Sequence, residues 1–111
     1  MTDFAKFGSL RGKRVFVTGG GTGIGEAIVA SYAEQGAVVA FVDIAKEASL
    51  ALVERLKAAG HPAPLYRYCD ITDIPALQNT IAELAAEIGD FDVLVNNAAN
   101  DQRHKPEEVT L

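Results

Sequence analysis

Cysteine is almost absent. Cys69 stands alone among 111 residues, so no disulfide can form within the chain. The stretch from Met1 to Leu10 has no apolar h-region either, because Asp3, Lys6 and Gly8 interrupt it. A lone thiol without a leader pattern fits a reducing compartment, and a cytoplasmic location is expected. No apolar run approaches the roughly 20 residues of a membrane span, so no membrane partner is expected. Basic residues are in deficit: 10 Lys and Arg stand against 15 Asp and Glu, a net charge of -5. That excess of negative charge argues against nucleic acid as a partner. It leaves room for a small anionic ligand held by backbone dipoles. His61 and His104 lack companions at metal-ligand spacing, so no metal site is expected.

What remains is apolar enough for one packed domain spanning residues 1–111, since 49% of the residues are hydrophobic. Short β-rich runs alternate with longer helical periods. Residues 13–18 read as a strand ended by glycines. Residues 23–35 read as a helix, with Ile24, Ala27, Ile28 and Ser31 at helical spacing, stopped by Gly36. Residues 37–42 form an unbroken apolar run, the mark of a strand buried on both faces of a parallel sheet. Residues 46–59 read as a second helix, ended by Gly60 and the Pro62/Pro64 pair, and residues 65–69 as a third strand. Thr72 or Asp73 can cap a third helix whose stripe runs through Ile74, Leu77, Ile81, Leu84 and Ile88. Gly89 and Asp90 end it, and residues 91–95 read as a fourth strand. Residues 106–109 look like the first turn of another helix. The fold class is therefore α/β, a Rossmann-type doubly wound parallel sheet with right-handed crossovers, cut after about four strands.

The first strand turns into the first helix through Thr18-Gly19-Gly20-Gly21-Thr22-Gly23-Ile24-Gly25. A diphosphate needs close backbone approach, unusual φ/ψ values and free N–H groups at the positive end of a helix. This segment can supply all three. A merely structural turn does not call for five glycines in seven positions. The spacing is not G-x-G-x-x-G, and Glu26 stands where a P-loop has lysine.

Asp43 follows the second strand directly. In a dinucleotide fold an acid at this place accepts hydrogen bonds from the adenosine ribose. It also repels a 2′-phosphate, by roughly 4 kcal/mol at about 4 Å and an effective dielectric near 20. Half of that still favours NAD over NADP about thirtyfold. No lysine or arginine occupies positions 22 or 44 to offset it, although Lys46 is near. Asp43 also suits an N-cap of the second helix, and the two roles are not exclusive.

Taken together, these residues resemble the short-chain dehydrogenase/reductase family. Thr-Gly-x-x-x-Gly-x-Gly at 18–25 resembles its cofactor motif, and three further matches follow in order. They are Asp43, then Asp70-Ile71 after the third strand, then Asn96-Asn97-Ala98-Ala99 after the fourth. The resemblance implies that Gly19, Gly20, Gly21, Thr22, Gly23, Ile24 and Gly25 form the diphosphate turn. It implies that Asp43 and Ile44 flank the adenosine ribose, that Asp70 and Ile71 hold adenine, and that Asn97, Ala98 and Ala99 line the nicotinamide ribose. Asn96 is expected to be structural. Ala99 replaces the usual glycine; if positive φ is needed there, alanine costs roughly 1 kcal/mol or more. Residues 100–104 with Val109-Thr110 are similar to the bacterial sugar (aldose) dehydrogenases of the family.

The family's catalytic unit is a tyrosine whose pKa is lowered by a lysine four residues on, helped by a serine. Tyr32, Tyr66 and Tyr68 are followed at that distance by Gly36, Asp70 and Thr72, so these residues contain no catalytic set. The resemblance thus implies the NAD-binding portion of an alcohol or carbonyl oxidoreductase, inactive alone. It also implies an exposed edge at residues 91–95, open to self-association or a second chain. A non-catalytic module that binds NAD or a partner is the alternative. A structural protein without a ligand would leave the glycine turn, Asp43 and Asp70 unexplained together.

Overall fold

The computed structural model describes residues 10–97. Four strands, β1 (Arg14–Thr18), β2 (Val38–Asp43), β3 (Leu65–Tyr68) and β4 (Val93–Asn96), alternate with three helices, α1 (Gly23–Glu34), α2 (Lys46–Ala58) and α3 (Ile74–Ile88). All strand pairs are parallel, and the sheet order is β3-β2-β1-β4. This is the Rossmann-like α/β sheet expected from the alternation of short apolar runs and helical periods. The helices stop where expected, at Gly36, Gly60 and Gly89, each with positive φ.

Side chains alternate along β1 and β2, so each central strand feeds two cores. Val15, Val17, Val39 and Phe41 point to the face covered by α1 and α2, where they meet Val29, Ala33, Leu52 and Leu56. Phe16, Ala40 and Val42 point to the other face and meet Leu84 of α3 and Cys69. Burial of each large side chain in these layers contributes about 1.5–3 kcal/mol. Two ring pairs bracket the sheet: Phe16 with Phe91 at 5.3 Å and Phe41 with Tyr66 at 5.2 Å between centroids.

The structure sharpens three local readings. Ile24, Ala27, Ile28 and Ser31 mark the helical spacing, but the fully buried positions of α1 are Gly25, Val29 and Ala33, with Ile28 partly packed against the core. Small residues at that contact let the helix lie close to the strands, and the Ile24 stripe lines an outer groove instead, with Leu10, Tyr32 and Gln35. The fourth strand begins at Val93 rather than at residue 91. Phe91 is occupied with the Phe16 ring, and Asp92 joins the start of β1 twice: its amide donates to the Arg14 carbonyl at 2.7 Å and its Oδ2 accepts the Arg14 amide at 2.9 Å. Of the two candidate caps for α3, Asp73 does the work, its carboxylate accepting the Ala76 amide at 3.2 Å.

The two ion pairs among the described residues, Arg55 with Glu26 and Arg67 with Glu87, lie at the surface and add little. No helix among the described residues is long and apolar enough to cross a membrane. The expected helical turn at residues 106–109 lies outside the described residues.

Candidate functional site

The carboxyl ends of β1, β2 and β4 come together at the glycine turn, the place where a doubly wound sheet opens a crevice. β1 ends in Thr18, whose hydroxyl reaches Asn96 Oδ1 at 3.0 Å and so ties the ends of β1 and β4. The chain then crosses toward β2: the Gly19 and Gly20 amides donate to the Val42 carbonyl at 2.8 and 3.3 Å. The expectation that Asn96 is structural is met in this contact. Asn97 shares that work, because its side chain is buried and its Nδ2 donates to the Gly19 carbonyl at 3.0 Å.

The turn is closed to side chains by geometry. A Cβ on Gly25 would lie 1.8 Å from the Gly19 carbonyl oxygen and 2.7 Å from Asn97 Nδ2. One on Gly20 would lie 2.8 Å from Phe41 and from Val29. Gly23 differs, with φ +60° and open space around it. α1 starts here with no side-chain cap, although Thr22 has the extended backbone of an N-cap residue. The amides of a helix's first turn have no partner within the helix. The bare turn therefore presents backbone N–H groups and the positive end of α1 at one spot.

Asp43 is the second component. Its Oδ2 accepts the Gly21 amide at 2.9 Å and its Oδ1 accepts the Ala45 amide at 2.9 Å. The N-cap position of α2 is Ala45, not Asp43, but one carboxylate oxygen serves the helix entry all the same. The other holds the glycine turn. Two large apolar side chains stand exposed beside this unit, Ile24 at 73% and Ile44 at 59%, where packing alone gives them no reason to be.

Asp70 lies farther along the same strand ends, fully exposed. Its Oδ1 accepts both the hydroxyl and the amide of Thr72, at 2.7 and 3.0 Å. These bonds hold its carboxyl below the usual range. The stabilisation they give is present above the ordinary carboxylate pKa and is lost as pH falls through the lowered value. Ile71 packs against the α3 core. Ala98 and Ala99 lie outside the described residues.

Two residues escaped the sequence. The Tyr66 hydroxyl donates to the Asp43 carbonyl at 2.7 Å. Burial pushes its phenol above the ordinary value; the Ser49 hydroxyl works against that and the Asp43 charge adds to it. Tyr66 thus remains a donor at neutral pH. Ser49 is fully buried and its Oγ has no hydrogen-bond partner of proper geometry, close as it is to Tyr66. Nothing in the sequence singles out Tyr66 or Ser49; only the β2–β3 register, Phe41 opposite Tyr66, brings that tyrosine beside β2. Among the described residues no cluster of His, Cys, Asp and Glu could hold a metal ion.

The two kinds of glycine separate experimentally. Gly25→Ala should destabilise the fold by about 2 kcal/mol or more, since the Gly19 carbonyl cannot yield without releasing Asn97. Gly23→Ala should cost only the left-handed backbone penalty, about 1 kcal/mol. Urea unfolding of both variants checks this, and equal losses would contradict it.

Comparison with known proteins agrees with this geometry. The family model described as short chain dehydrogenase matches residues 13–111. The chain is 52% identical over 107 residues to D-xylose 1-dehydrogenase of Caulobacter vibrioides, covering 96% of this chain and 41% of that protein. It is 48% identical over 106 residues to a protein of Rhizobium meliloti named probable galactose dehydrogenase, with the same two coverages. The chain thus spans about two-fifths of the length of these relatives. Among solved structures, a short-chain dehydrogenase/reductase from Serratia marcescens superposes with a TM-score of 0.74 at 39% identity, over 78% of this chain and 36% of that one. The chain belongs to the short-chain dehydrogenase/reductase family of oxidoreductases.

Proposed function

We propose that residues 1–111 form the NAD-binding portion of a dehydrogenase that oxidises a hydroxyl of a sugar. The observation that carries this reading is the Asp43 carboxylate bonded to the Gly21 amide, which sets an acid against a bare glycine turn at the start of a helix. The fit to a dinucleotide is that of a cradle with no room for side chains: a Cβ on Gly20, Gly21 or Gly25 would collide with neighbouring atoms. The backbone of Gly19 to Gly25 would hold the diphosphate, with Ile24 beside it. Asp43 and Ile44 would take the adenosine ribose, and Asp70 and Ile71 the adenine. Asn97, Ala98 and Ala99 would lie on the nicotinamide side.

When bound, the nicotinamide supplies the hydride acceptor. These residues bind and orient it. They include no tyrosine with a lysine four residues on, so they are proposed to hold the cofactor without turnover. A sugar as substrate is supported by the relatives named for D-xylose and galactose. Isothermal titration of NAD and NADP into the purified chain tests the reading. NAD should bind about thirtyfold more tightly than NADP, because a 2′-phosphate would sit against the Asp43 charge. Equal affinities, or tighter NADP, would overturn the assignment of Asp43.

Among the described residues β4 lies at the edge of the sheet, and its Leu94 is 68% exposed on the face of Phe16. An apolar edge of this kind invites pairing with another strand. We infer that the isolated chain self-associates through residues 91–95. Sedimentation velocity should find oligomers that Leu94→Lys disperses. A monodisperse unsubstituted monomer with a sharp cooperative melt would refute this.

A further inference from the structure

Beneath the acid and the turn stand two side chains from other elements, Ser49 of α2 and Tyr66 of β3. Ser49, in the first turn of α2, has none of its surface exposed. Its Oγ lies 2.1 Å from where a Cβ of Gly21 would stand. The hydroxyl therefore fills the space that the absent side chain leaves. Asp43 Oδ2 lies 3.1 Å from the same point, and it is the atom that accepts the Gly21 amide. From β3, the Tyr66 hydroxyl holds the Asp43 carbonyl while its ring packs on Phe41. Gly21, Asp43, Ser49 and Tyr66 are thus one contact unit drawn from the turn, β2, α2 and β3.

We propose that Tyr66 is a positioning residue for cofactor selection, holding the end of β2 at Asp43 from beneath, and that Ser49 sets the room beneath Gly21. The proposal rests on the NAD-binding reading given above. Asp43 has its backbone carbonyl tied to Tyr66 and both carboxylate oxygens tied to backbone amides. Its charge consequently faces the ribose site from a fixed place, which is what discrimination by repulsion needs. With the carbonyl released, the carboxylate is placed by the Gly21 and Ala45 amides without the tie to β3, its position is less fixed, and its effect on a 2′-phosphate weakens. Gly21 and Ser49 act differently, as a size-matched pair. A side chain at position 21 is tolerated only when the hydroxyl at position 49 is gone.

The experiment measures NAD and NADP affinities and thermal midpoints for the full chain and for Tyr66→Phe, Gly21→Ala, Ser49→Ala and the Gly21→Ala/Ser49→Ala double variant. Tyr66→Phe should weaken NAD about fivefold, the loss of one hydrogen bond. NADP should change less than about twofold, so the preference narrows, whereas a purely structural loss would weaken both alike. Gly21→Ala should lose affinity for both nucleotides by about tenfold or more and lower the midpoint. The double variant should recover most of both losses, because the clashing atom is removed. An unchanged NAD-to-NADP ratio in Tyr66→Phe would overturn the proposal for Tyr66. A Gly21→Ala defect of the same size with or without Ser49 would overturn it for Ser49. If the unsubstituted chain binds neither nucleotide while melting cooperatively, the NAD reading itself fails and the selection role fails with it. If that chain prefers NAD and only the variants disappoint, the positioning role alone is refuted.

Discussion

The carbonyl oxygen of Gly19 is the point on which the crevice depends. Asn97 donates to it from the end of β4, and Gly25 of α1 passes so near that a single Cβ could not fit between. One backbone atom thereby joins the first strand, the first helix and the last strand of the described sheet. The helix must come this close for its first turn to stand over the strand ends, and it can do so only with glycine at the crossing. The small contact face of α1, Gly25, Val29 and Ala33, follows from the same demand. Ile24, at the start of that helix, is turned outward, while Ile28 packs only partly against the core.

Asp43 extends that constraint sideways. A carboxylate at the end of a buried strand must be solvated or bonded, and here each oxygen takes a backbone amide. The same side chain therefore finishes the glycine turn, starts α2 and leaves a negative charge at the crevice. Under the proposed reading, the same carboxylate that shapes the turn also sets the choice of cofactor. Its replacement would alter the turn and the entry to α2 as well as the electrostatics.

Much of this was legible in the sequence, for reasons that differ by element. β2 was plain because a strand buried on both faces has no polar alternation. The helix ends were plain because Gly36, Gly60 and Gly89 occupy backbone conformations that other residues avoid. The glycine turn and Asp43 were visible because residue type and position coincide there. The sheet-facing positions of α1 were not legible, since Ile24, Ala27 and Ile28 carry the stronger apolar signal while closeness to the sheet selects small residues. The start of β4 was misplaced because Phe91 is apolar for the sake of a ring contact with Phe16 and not for strand pairing. Tyr66 and Ser49 carried no local signal. Their role exists only once β3 is registered against β2 and α2 is folded back beneath the turn.

Amide chemical-shift mapping of the isotopically labelled chain on addition of NAD tests the seat of the ligand most directly. Shifts concentrated at Thr22, Gly23, Ile24 and Ile44, with the Gly36 and Gly89 ends of the sheet undisturbed, are expected if the α1 start and Asp43 form one binding surface. Shifts spread over the opposite end, or absent at the glycine turn while the chain stays folded, would contradict it.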